Sequence, residues 1–431
     1  MNKKVISPAE PEAKLLSEGP NLSEKSIELL NNADLFFMST SNGDIDMDTN
    51  IRGGPQGFVR VISNDEDGAE IIYPEYSGNR LYQSLGNLRL NPLAGLVFPD
   101  FETGDVLYLT GKAEILIGAD AAAVLPRTNL AVKIKITEAK FVEKGLTFHG
   151  RIGERSPYNP SVRLLAKEGS IAAKVGDAEN TATLVSKTQI TPTVSRYRFA
   201  LKKPTKFNPG QWAAFDFSDE LDIGYSHMRD DDPQSLNDDY VRTFTVSSWP
   251  DPLAENGQNE FDITVRRNGP VTSFLQLRRA TVGLEVPMRG FGGDFQIKTD
   301  APMVGFIAGG VGITPLLGQA QGLDLSKLHL IWTLPLKDIA LVLDTLKAFP
   351  KLSQSTEVFF TGRTGTPNET EEEGLKHLKD MGVKIELRRL TKADILQTET
   401  EKWYLCASGR LRGTLLEWLN GKQVFYEDFN F

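Results

Sequence analysis

Two stretches of the 431-residue chain carry residues whose types and spacing could do chemistry. The first is Gly309-Gly310-Val311-Gly312-Ile313-Thr314-Pro315, between an apolar run and a helical pattern. Glycines there let backbone approach a ligand closely, and a helix start offers amides and a dipole to a pyrophosphate. The spacing is not G-x-G-x-x-G, and a tight turn in any α/β domain reads the same way. The second stretch is Arg242-Thr243-Phe244-Thr245-Val246-Ser247-Ser248. An arginine there can pair with a phosphate, an aromatic can cover a ring face, and a hydroxyl can bond a ring edge. Taken alone, an ordinary half-exposed strand explains it better.

The single cysteine, Cys406, cannot form an intrachain disulfide or ligate an iron–sulfur cluster by itself. It points to a cytosolic protein. A lone cysteine is usually a small buried hydrophobe. The four histidines, His149, His227, His329 and His377, lack metal-ligand spacing, so no metal site is expected. A net charge of −9 disfavours nucleic-acid and anionic-membrane binding. The apolar runs are too short for a membrane span.

The elements that must position these residues fall into blocks. Residues 1–20 read as a flexible tail, and 23–33 as a short helix capped by Ser23. Strand patterns follow at 34–40, 58–63, 69–73, 94–98, 106–117 and 131–142, which suggests a small β-barrel over 21–155. Residues 156–180 read as a connector with a short helix at 162–168. A second strand-rich block covers 181–300, with period-two alternation in Arg196–Leu201 and Phe261–Arg266. Within it, 219–241 is acidic and turn-rich and reads as an inserted loop that could also gate a site. From 301 to 431, strands alternate with helices. That pattern implies a parallel sheet covered on both faces.

The order of the motifs resembles the ferredoxin–NADP reductase superfamily, a flavin-binding antiparallel barrel followed by a nicotinamide-binding α/β domain. The R-x-[YF]-[ST] strand matches Arg242, Phe244 and Thr245, with Phe keeping the ring but losing a hydroxyl. Pro209-Gly210-Gln211 matches the preceding P-G-Q. Gly269-Pro270-Val271-Thr272-Ser273 matches the G-x-x-[ST] helix start whose amides hold flavin phosphate. Gly309 to Pro315 matches G-G-x-G-[IV]-[TA]-P, and Cys406-Ala407 the late C-[GA] element beside the nicotinamide ring. The aromatic end, Phe425 to Phe431, looks like the segment that shelters the flavin.

The resemblance implies FAD and a reduced nicotinamide. Arg363 stands where NADP-using relatives hold the 2′-phosphate, which favours NADPH over NADH. Thr245, Cys406 and Phe431 take the reacting end. Arg242, Phe244, Gly269, Val271, Thr272 and Ser273 hold the flavin. Gly309, Gly310, Gly312 and Thr314 hold the nicotinamide phosphates.

The first barrel resembles the pyridoxamine-phosphate-oxidase-like split barrel. The resemblance rests on Ser39-Thr-Ser41, the run Arg52 to Arg60, Gly78-Asn79-Arg80, Asn87 and the run Asn91 to Phe98. It implies a homodimer and an FMN held by Arg52, Arg60, Arg80 or Ser84. Gly104-Asp105 stands where relatives tend to carry an arginine, so a barrel without FMN is equally open. The expected function is NAD(P)H-dependent flavin reduction, with electrons passed to a small molecule or to FMN. The alternatives are an electron-transfer component serving an iron–sulfur or haem protein, and a non-catalytic flavin-bound scaffold. The motifs do not name the acceptor.

Overall fold

A computed structural model describes residues 4–8, 13–43, 45–76, 82–151, 153, 159–160, 162–168, 180–222, 238–277, 281–362 and 367–426. The chain divides into two compact units. One spans 1–174 together with 223–239, and the other spans 175–222 together with 240–431. Asp238 and Asp239 of the acidic insert therefore belong to the first unit.

In the first unit an antiparallel sheet runs Asp46–Gly53, Leu35–Asn42, Leu93–Pro99, Val106–Ile117, Leu130–Glu143, Gly68–Pro74, Arg60–Asp65, and Lys14–Gly19 adds to Leu130–Glu143. Alternation along Leu35–Asn42 buries Leu35, Phe36, Met38 and Thr40. Phe36, Phe58, Tyr73 and Phe98 make the aromatic centre of this core. Ser23 caps the helix Glu24–Asn32 by accepting from the Ser26 N–H, as its sequence predicts.

Residues 4–8 and 14–19 are strands rather than a loose tail. The open edges of the 148–151 and 130–143 strands supply their backbone partners. Asp46–Gly53 was also hidden in the sequence, because its sheet position leaves it exposed and polar. In the connector, a 3₁₀ turn at Ala166–Glu168 replaces the expected helix.

The second unit opens with six antiparallel strands in the order Val241–Thr245, Trp212–Asp216, Glu285–Gly292, Asn180–Gln189, Val194–Thr205, Gln258–Arg266. A bridge from Val246 to Ile263 joins the two ends and closes the barrel. Phe199, Phe215 and Phe261 fill its core.

A parallel sheet follows, ordered Lys384–Glu386, Thr356–Thr361, Leu328–Pro335, Val304–Gly309, Lys402–Cys406, Gln423–Tyr426. Three strands run outward from Val304–Gly309 to one side, and the last two fall on the other side. The order thus reverses between Val304–Gly309 and Lys402–Cys406, and the carboxyl ends of strands at such a reversal form a ligand crevice.

The expected helix after the glycine turn is broken. A 3₁₀ turn at Gly310–Ile313 leads to one α-turn at Thr314–Leu317 and a second 3₁₀ turn at Ala320–Gly322. Gly318 ends the α-turn where the Val246 carbonyl presses on it: a Cβ there would stand 2.4 Å from that oxygen.

Among the described residues no helix is long and apolar enough to cross a membrane.

Candidate functional site

The site is assembled by close backbone approaches inside the second unit. Gly309 ends the strand Val304–Gly309 at the reversal point, and Ala308 pairs in register with Cys406. The turn that follows lies directly on the end of Lys402–Cys406. A Cβ on Gly312 would stand 2.0 Å from the Cys406 oxygen and 3.3 Å from its Sγ. Only glycine permits this approach. Trp332 fixes the turn from the other side, its Nε1 donating to Gly310 O at 2.9 Å. Cys406 is buried at the base of the crevice, and Thr314 is buried as well.

The barrel reaches the same turn through two of its strands. Val246, one residue past Thr245, touches Gly318 through its carbonyl. Arg266, at the end of Gln258–Arg266, holds its Nη2 3.2 Å from where a Gly310 Cβ would be. Arg266 is pinned there by Asp338, fully buried, at 2.7 Å. Thr191 and Thr193 donate to the other oxygen of Asp338 at 2.8 and 3.3 Å. The Arg266–Asp338 contact has ion-pair distance without hydrogen-bond geometry, so its contribution is mainly Coulombic. Gln319 adds a polar clasp. Its amide donates to Phe295 O and Pro315 O and accepts from Ile297 N–H.

On the strand Val241–Thr245, period-two alternation puts Arg242 and Phe244 on one side and Thr243 and Thr245 on the other. Thr245, 9% exposed, ends the strand opposite Trp212. Phe244 is half-buried and leans on Phe215, with ring centroids 6.1 Å apart. Arg242 donates to its neighbour Val241 O at 3.0 Å.

Beyond Gln258–Arg266 lies the turn Asn268-Gly269. Gly269 has φ +81°, and a Cβ there would meet nothing within 4 Å, so the backbone stays open. It starts the short helix Pro270–Gln276. Val271 and Thr272 are buried, and Thr272 Oγ1 bonds back to Asn268. Ser273 N–H closes on Gly269 O at 3.1 Å.

These residues fit a dinucleotide and a flavin. The glycine cradle, the buried Cys406 wall, the open Gly269 turn and the half-exposed Arg242 and Phe244 all lie on segments that the contacts above tie together. Arg363 and Phe431 lie outside the described residues. The strand Gln423–Tyr426 runs parallel to Lys402–Cys406 and ends with Tyr426 beside Leu405. The last described residue therefore lies at the crevice end of the sheet. Phe425 stacks on Tyr404 at 5.2 Å.

Arg266, Asp338, Gln319 and Gly318 were missed in the sequence. Their one visible signal was position, since Arg266 ends an alternating strand and Asp338 precedes a helix.

The first unit does not offer the expected FMN phosphate cradle at its described candidates. Arg52 pairs with Glu75 at 3.0 Å. Arg60 pairs with Glu168 at 2.5 Å. Ser84 sits in a buried network with Asp48, Asn50 and Asn87, its Oγ 3.4 Å from Asp48 Oδ2. Carboxylates repel a phosphate, so Arg52, Arg60 and Ser84 do not fit an FMN phosphate. Arg80 lies outside the described residues.

No family model matches the chain, and no curated protein matches it. Solved structures give partial matches. The flavohem-like FAD/NAD-binding domain of a nitric oxide dioxygenase from Vibrio cholerae is similar at 17% identity and TM-score 0.42, over 58% of this chain and 98% of that one. A cytochrome P450 reductase of Amycolatopsis is similar at 14% identity and TM-score 0.43, over 77% and 91%. The cytochrome b5 reductase domain of a nitrate reductase from Ulva prolifera is similar at 15% identity and TM-score 0.40, over 59% and 98%. Resemblance at this level carries no function across; the chain's own residues must.

Proposed function

We propose that the second unit binds FAD and NADPH and is an NAD(P)H-dependent flavin oxidoreductase. One observation carries the reading. Close approaches at Gly312 and Gly318 bring the glycine turn, the Cys406 end and the Thr245–Val246 end together at the strand-order reversal. A bound FAD would supply hydride acceptance from a reduced nicotinamide and onward electron transfer. The chain's part is positioning and electrostatics. Arg242 and the open turn from Gly269 to Ser273 neutralise flavin phosphate. Phe244 lies beside the ring, and the Thr245 hydroxyl meets the ring edge. Gly309, Gly310, Gly312 and Thr314 receive the nicotinamide phosphates, with Arg266 as an added cation. Cys406 shapes the place where the two rings meet, and Arg363 selects the 2′-phosphate. Phe431 would cover a bound flavin and yield to a bound nicotinamide.

Anaerobic addition of NADPH to the purified protein tests this. Bleaching of one FAD per chain is expected, and a protein that holds flavin without bleaching is a scaffold instead. The acceptor is a small molecule or a redox partner protein. Nicotinamide turnover with and without separate iron–sulfur or haem proteins tells these apart.

Self-association through the first unit is supported by a sheet face on which Ile51, Phe37, Val97 and Tyr108 align across four strands. A monomer by light scattering at micromolar concentration would remove that reading. The lone cysteine supports a cytosolic setting.

A further inference from the structure

Two arginines of the first unit, Arg127 and Arg163, act on one another electrostatically. Arg127 is 8% exposed and grips the Asp239 carboxylate with both Nε and Nη2. Arg163 has Arg127 as a like-charged neighbour, Asp239 and Asp238 as counter-charges, and Tyr76 beside it. Burial lowers the Arg163 pKa, and Arg127 lowers it further. Two buried hydroxyls of this unit lack partners. Tyr76 Oη is buried with none, and burial pushes its pKa up to about 12. Thr128, next to Arg127 and 6% exposed, leaves its Oγ1 unpaired. Glu75 N–H donates to Leu130 O at 2.9 Å, which runs Tyr76 alongside the 127–129 loop. Arg127 itself is held at φ +67°, a conformation costly for a non-glycine residue.

Guanidinium groups that share a partly buried setting require an anion. Here the chain supplies its own, from the end of the acidic insert. A planar guanidinium receives a carboxylate or a phosphate in the same two-pronged way. The hydroxyls of Tyr76 and Thr128 are donors that a carboxylate pair leaves unused, and a phosphate has more acceptor oxygens to meet them. From this geometry we infer that Arg127, Arg163, Tyr76 and Thr128 form an anion site for a phosphate or phosphomonoester, with Asp238 and Asp239 as its built-in occupant. The site does not depend on the flavin reading of the second unit.

The test uses the full chain carrying Asp238→Asn and Asp239→Asn. Its unfolding midpoint is measured in inorganic phosphate and in chloride at matched ionic strength. The variant is expected to melt several degrees below wild type in chloride and to recover in phosphate. It should bind phosphate at least tenfold more tightly than wild type, in which the carboxylates compete. Adding Arg127→Gln should abolish the recovery, which separates this site from phosphate bound in the second unit. The single variant Asp239→Asn gives the same readout with one counter-charge kept, should the double variant fold poorly. FMN saturating well below inorganic phosphate assigns the site to a flavin phosphate. Equal saturation assigns it to the phosphate group alone. Equal midpoints in phosphate and chloride for both variants would overturn the inference and leave Asp238–Asp239 as a fastening only.

Discussion

A methyl group on Gly312 would stand 2.0 Å from the Cys406 carbonyl oxygen, where ordinary contact begins at 3.4 Å. In Gly312→Ala the turn and the strand end must therefore separate by about 1.4 Å. The Cys406 strand lies between two others in a parallel sheet, so the 3₁₀ turn is the part that gives way. Overpacking of this kind costs ~1–3 kcal/mol of stability. Its effect on reaction is larger, because a displacement of about 1 Å lowers a positioned reaction by roughly 10²-fold. Stopped-flow reduction of the flavin by NADPH should slow by about that factor. FAD content should be unchanged, because Arg242, Phe244 and Gly269 sit on the barrel side. Reduction by dithionite should also be normal. A folded Gly312→Ala protein that is reduced by NADPH at the wild-type rate would refute the argument that this approach sets the nicotinamide position.

Asp338→Asn removes the charge that pins Arg266 in a buried setting. A loss of roughly 3 kcal/mol in urea unfolding is expected, the range for breaking a buried pair, and a change within error would show that the threonines alone hold the joint. Asp394 accepts from Arg388 at 2.6 and 2.7 Å and caps the helix Lys392–Leu396 through Thr391. The Arg388 guanidinium holds its carboxyl well below the usual carboxylate range. The folded pKa lies below the unfolded one, so this stability is present above pH ~4 and fades as pH falls further. Asp394→Asn should cost about 1 kcal/mol at pH 7, with the gap to wild type closing in acid melts below pH ~4. Deleting Phe429–Phe431 should raise NADPH affinity or alter the rate of flavin reduction, and a truncated chain matching wild type in both would retire the aromatic cover.

The sequence shows the second unit more clearly than the first for a physical reason. Buried parallel strands such as Val304–Gly309 and Leu328–Pro335 read as apolar runs between helices, and their ends fall at the glycine turn and the cysteine. The edge strand Asp46–Gly53 has no such pattern, because its side chains face water and its partner is chosen by backbone pairing. The residues that couple barrel to sheet were equally silent. Arg266 and Asp338 are far apart in sequence, and neither spacing nor alternation announces a contact between them. Thr245 shows a different limit: a motif gives residue order, while the two-residue period of a strand decides which side each faces. The acidic insert read as a loop, yet Asp238 and Asp239 have partners only a folded first unit can bring.

The reversal of strand order also sets a timetable. The crevice has one wall from Val304–Gly309 and the other from Lys402–Cys406, nearly a hundred residues later in the chain. A growing polypeptide can complete its barrel and four strands of the sheet while still lacking the second wall. Long-range pairing of this kind forms late, because loop closure precedes the contacts that reward it. Under the proposed function, an unfinished chain would hold flavin before it could receive electrons from a nicotinamide.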